Sequence, residues 1–203
     1  MNGADIASIR INGGRLCLDF VNTATWEDGR PVREFLTGFH DLLTWCQRQG
    51  LIGESDVRRL SKTTSAGHAQ AVVKEARSLR TAFRSMFEPG RSDIDVLAAV
   101  GRLNTTLKDP ALKIAVGLAD GRIEFLREDR FASQLIVPLT VSALELATTP
   151  ARASVRVCPG DDCHWLFLDQ SRNAARRWCS MESCGNKAKA RAHYIAHRGG
   201  GSR

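Results

Sequence analysis

The chain has 203 residues, of which 43% are hydrophobic and 25% charged, the balance of a soluble globular protein with room for one sizeable core and a small appendage. No apolar run approaches the roughly 20 residues that span a bilayer, and residues 1–14 lack the charged start and apolar centre of a signal peptide. A membrane role is therefore excluded and a cytoplasmic location expected, while the formal charge of +7 points to a polyanionic partner.

After Gly13 and Gly14, the stretch Arg15 to Thr23 reads RLCLDFVNT, with Leu16, Leu18 and Phe20 alternating with Cys17, Asp19 and Val21. Period 2 predicts a strand. Asp19 and Asn22 lie inside this apolar run and, if buried, need partners: a turn, a helix end or a bound ligand. They are the candidate ligand pocket of this half, set against the plainer role of fixing local turns. Trp26 to Pro31 reads as a loop.

From Val32 to Gly50, Phe35, Phe39, Leu42, Leu43 and Cys46 recur at helical spacing, and Gly50 supplies a left-handed stop. Ser55 and Asp56 start a short helix toward Leu60, and the Ser/Thr/Gly stretch at 61–67 is a break. A third helix runs from about Gln70 to Phe87. Ser92 caps a fourth, carrying Ile94, Leu97, Val100, Leu103 and Leu107. Leu112 to Arg127 alternates around Asp120-Gly121, the pattern of a hairpin. Asp129 is placed to cap a following helix, and Pro138 inside its pattern predicts a kink or two abutting helices.

Residues 1–150 thus read as a mainly helical α+β domain with a small antiparallel sheet, the 15–23 strand joined to the hairpin. Sensing a small-molecule effector or forming a homodimer is its expected role. Thr148 to Ala153, with Pro150, is the boundary, and residues 151–203 form the second unit. That unit holds ten Lys and Arg against four Asp and Glu, a net +6, which leaves +1 for the first 150 residues.

Within the basic unit Cys158 and Cys163, then Cys179 and Cys184, form two C-x4-C pairs. Two short-range pairs of thiolates supply the four soft ligands of a tetrahedral structural zinc with little loop entropy, and reduced cytosolic thiols favour metal over disulfides. One structural zinc ion per chain is expected. Cys17 and Cys46, far upstream among apolar residues, read as buried hydrophobes. Pro159 and Gly160 turn the first loop, and Trp165 to Leu168 read as a strand. A hairpin returns the chain through Arg176, Arg177 and Trp178, and a helix follows Cys184 toward His197. Knuckle, hairpin and helix outline a treble-clef zinc finger. So small a unit buries too little apolar surface to fold unaided, and metal binding contributes on the order of 10 kcal/mol or more in such peptides.

At these residues the chain resembles a family. The segment RVCPGDDCHWLFLDQSRNAARRWCSMESCGNKAKARAHYIAHR resembles the CGNR-type zinc finger of bacterial stress-induced transcription regulators, and LCLDFVNT resembles the start of the ABATE domain that precedes it. The resemblance implies a zinc site at Cys158, Cys163, Cys179 and Cys184, and a DNA-binding role. Lys187 stands where the family name has arginine; it keeps the charge and lacks the bidentate fork.

The cations themselves favour the same partner. Arg172, Asn173, Arg176 and Arg177 fall on the predicted hairpin, and Lys187, Lys189, Arg191 and Arg198 on the helix, where a groove of double-stranded DNA would find them. Against this stands a merely solvated charged face. His193 and His197, spaced i, i+4, and His164 are weaker metal candidates, and Trp165 and Trp178 read as the mini-core of the finger rather than a stacking platform for bases. Two rival classes remain: a protein or RNA interaction module, since fingers of this shape serve all three partners, and an enzyme, either at the zinc or acting on a small molecule in the N-terminal domain through the pocket at Asp19 and Asn22. Four cysteines leave no open position for a catalytic water, and the chain holds no HExxH or Gly-rich phosphate loop. A non-enzymatic regulator of transcription is the expectation.

Overall fold

The computed structural model describes residues 5–108, 115–119, 122–126 and 132–198. Arg15 to Thr23 is not a strand: Leu16–Val21 forms a short helix, α1, whose Cys17, Leu18, Asp19, Phe20 and Val21 are all buried. A segment enclosed on every side has no solvent face to impose a period, so the alternation carried no information there. Its neighbours fix it. Cys17 N donates to Ser142 Oγ at 3.1 Å, and the Phe20 ring lies 5.2 Å from Trp45 and 6.5 Å from Phe83.

The predicted loop at Trp26–Pro31 is also a correction. Ala24–Glu27 (β1) and Arg30–Glu34 (β2) pair antiparallel, joined by Asp28 and Gly29 at φ +47° and +74°. Two successive left-handed residues make the tight turn whose twist suits a hairpin. The predicted 32–50 helix starts later, as α2, Phe39–Arg48, where the Asp41 carboxylate accepts from the amides of Thr37 and Gly38.

Helices α3 (Glu54–Thr63), α4 (Ala66–Phe87) and α5 (Asp93–Leu107) follow. On α5 the predicted inner side is shifted. Ala99, Leu103 and Thr106 are buried, while Ile94 and Leu97 are 79% and 69% exposed. The predicted hairpin exists as β3 (Ala115–Ala119) paired antiparallel with β4 (Arg122–Leu126); its Asp120-Gly121 turn lies outside the described residues, as does Asp129. A 3-10 turn, Ala132–Ile136, abuts α6, Val137–Ala147, with Pro138 in its first turn where a missing N–H costs nothing.

A second 3-10 turn, Pro150–Ser154, leads into β5 (Val155–Val157), which pairs antiparallel with β6 (Leu166–Leu168). A π turn at Met181–Gly185 precedes α7, Asn186–Arg198. The fold is therefore α+β, helical with small antiparallel hairpins and a C-terminal four-cysteine finger. Each sheet among the described residues has two strands, and none joins α1.

The core runs without a break from α1, α2 and α4 into Val155, Leu166, Phe167, Leu168 and Cys158. Two buried arginines of α4 cross it. Arg80 bonds Thr23 and pairs with Glu34, and Arg84 donates to the His164 carbonyl at 2.5 Å and pairs with Glu88. Trp26 covers both guanidinium groups. Among the described residues no helix is long and apolar enough to cross a membrane.

Candidate metal centre and basic face

Cys158 follows β5 and Cys163 precedes β6 by three residues, so the hairpin itself carries the first ligand pair at its turn. This differs from the expected hairpin between the two pairs: residues 169–180 return as irregular chain. The knuckle closes through Cys163 N to Gly160 O at 3.0 Å and Cys158 N to Trp165 O at 2.8 Å. Gly160 is closely packed, and a Cβ there would stand 3.3 Å from the Cys184 sulfur and press on the ligand cluster. His164 takes a left-handed φ of +49°, held by Arg84 on its carbonyl. Its backbone thus serves the knuckle. Cys184 sits in the π turn just ahead of α7.

The four Sγ atoms lie within 4.8 Å of one another, and Cys163–Cys179 and Cys179–Cys184 are 3.6 Å apart. Zinc–sulfur bonds of about 2.3 Å at tetrahedral angles place sulfurs about 3.8 Å apart. All six cysteines are free, and 3.6 Å is far beyond a disulfide bond of about 2.05 Å. The donor set and its spacing fit a structural zinc site. Electrostatics agree: thiols of Cys163 and Cys179 donating to Cys158 pull it down to about 2. The same contact with Cys158 raises Cys163 and pushes Cys179 up to about 12. So many crowded thiols do not ionise together without a cation among them.

Arg176 departs from its expected place on the basic face. Its guanidinium stacks on the Phe167 ring at 4.6 Å and donates to the carbonyls of Trp178, Leu168, Asn12 and Cys179. Asp169 supports the same turn, its carboxylate held below the usual range by the Ser171 hydroxyl and by backbone amides. Arg172, Asn173 and Arg177 are exposed, with Arg177 over the Trp178 ring. Lys187, Lys189 and Arg191 are exposed on α7, and Arg191 pairs with Asp161. The side chain of Arg198 lies outside the described residues. His193 and His197 approach each other at 3.0 Å on the exposed helix, apart from the cysteine cluster.

Asp19 and Asn22 both meet backbone. Asp19 Oδ1 accepts from Gly13 N at 2.7 Å, and burial pushes its carboxyl up to about 6. Asn22 donates to Leu166 O at 2.8 Å and accepts from Leu166 N at 2.9 Å. Sequence reasoning missed Arg84, which grips the knuckle from α4. A signal existed: Arg80 and Arg84, spaced i, i+4, share the face of Leu79 and Phe83 that the helical period sends inward.

The CGNR zinc finger family matches residues 154–197. A comparison with curated proteins returned no match. Residues 14–156 match the ABATE family, described as "Putative stress-induced transcription regulator", and because that match spans well over half of the sequence the chain belongs to this family.

Proposed function

We propose that the chain is a zinc-containing transcription regulator that binds double-stranded DNA through residues 151–203, while residues 1–150 sense a small molecule or pair with a second copy. One zinc per chain, held by Cys158, Cys163, Cys179 and Cys184, fixes the knuckle and the start of α7. A closed set of four thiolates gives it a structural role. The observation that carries the reading is the cluster of exposed cations beside that site. Arg172, Arg177, Lys187 and Lys189 have no carboxylate partner among the described residues. Family membership supports the same reading.

Phosphate contacts release counterions, so affinity for duplex DNA should fall steeply with salt, with a log–log slope of about −0.9 per phosphate neutralised. Anisotropy of a labelled random duplex measures it. Lys187→Ala and Lys189→Ala are each expected to weaken binding across all sequences and to reduce the slope by about 1. Wild-type affinity in both variants would remove α7 from the interface. A preference for single-stranded RNA over duplex would instead favour the interaction-module reading.

A further inference from the structure

We infer that the cleft between α7 and the N-terminal body is a binding site for a planar aromatic anion. A cavity of about 480 Å³ separates the helix from the body, within the range of roughly 300–1,000 Å³ that holds small organic ligands. Helix α7 turns Ala188, Ala192 and Ile195 toward this space, and Ile195 remains 60% exposed. The apolar side of the helix is therefore unused by the core. Across the cleft Phe35 and Trp165 supply aromatic surface, and the Arg33 guanidinium lies 4.8 Å over the Phe35 ring. Aromatic residues within an apolar lining suit an aromatic occupant.

Charge selects the sign of the ligand. Arg10 and Arg33 line the wall built by the N-terminal body, and no carboxylate pairs with either among the described residues. The acidic groups of the lining, Asp161, Asp162 and the thiolates of Cys163, Cys179 and Cys184, all belong to the opposite, finger side of the cleft, and Asp161 is already paired with Arg191. The body wall is thus the positive one, and an anionic group against it faces guanidinium groups that no carboxylate neutralises. Lys187 lines the same cleft, so an occupant shields a cation that the nucleic-acid reading uses; that consequence alone rests on that reading.

The site is tested without nucleic acid. The full chain, purified with zinc, is titrated with 8-anilinonaphthalene-1-sulfonate and its fluorescence followed. Saturable binding is expected, weakened by about tenfold or more in an Arg10→Ala/Arg33→Ala double variant. Ala192→Trp, which fills the cleft, should abolish it, and the uncharged N-phenyl-1-naphthylamine should bind far more weakly. These positions are exposed, so the variants keep the fold, which an unchanged far-UV spectrum and thermal midpoint verify. Binding that is non-saturable, or equally tight in both variants, would overturn the assignment.

Discussion

Asp19 carries a carboxyl into the interior at 7% exposure, and burial, opposed by the Gly13 amide, pushes it up to about 6. The folded chain therefore holds this proton more tightly than the unfolded chain, whose aspartates titrate near 3.9. The stability it confers is fully present below about pH 4 and is lost as pH rises through about 6. Asp19→Asn keeps an oxygen for the Gly13 amide and has no charge to bury. Denaturant titrations across this range should show the wild type losing stability relative to the variant by up to about 3 kcal/mol, with the difference flat at higher pH. A pH-independent difference would mean that Asp19 titrates as it does in the unfolded chain. By contrast Cys17, pushed up to about 12 by burial, is expected to stay an inert thiol.

Asn22 joins two elements. Its carboxamide pairs with both backbone groups of one residue of β6, Leu166, as a third strand would. Asn22→Ala would leave a buried N–H and a buried C=O unpaired, an expected loss of about 2–4 kcal/mol measured by urea unfolding. A loss within a few tenths would show water replacing both bonds. Elements with one wet side, such as α4, were legible because burial on one face writes a period of 3.6 into the sequence. Helix α1 was illegible because all its faces are dry. The β1–β2 hairpin was missed although Asp28-Gly29 is the same dipeptide that marked the 112–127 hairpin; Arg30 to Arg33 is exposed throughout and shows no alternation. The cysteine site was readable because its ligands come as local pairs. Arg176 was not, since its role depends on carbonyls such as Asn12 O that only tertiary structure brings near. The cleft beside α7 was equally hidden, its walls coming from residues 8–10, 25–35 and 159–195.

Across the whole molecule the cysteine finger is tied to the body by directed bonds as well as by shared core. Leu168 N reaches Gly13 O at 2.8 Å, Trp165 Nε1 reaches Ala24 O at 3.0 Å, and Arg84 holds the His164 carbonyl. Gly13 also packs close against α1, since a Cβ there would stand 2.9 Å from Asp19 N. A metal that fixes Cys158 and Cys163 therefore also fixes Trp165 to Leu168, the segment on which α1 packs, and the His164 carbonyl that Arg84 of α4 holds. Zinc binding should stabilise the helical body along with the finger. The most direct measurement pairs metal analysis of the purified chain with its thermal unfolding before and after chelation, followed by tryptophan fluorescence and far-UV circular dichroism. One zinc per chain is expected, with a single transition common to both signals that moves to lower temperature once zinc is removed. A chain that carries no zinc, or whose helices unfold at the same temperature with and without it, would contradict the account.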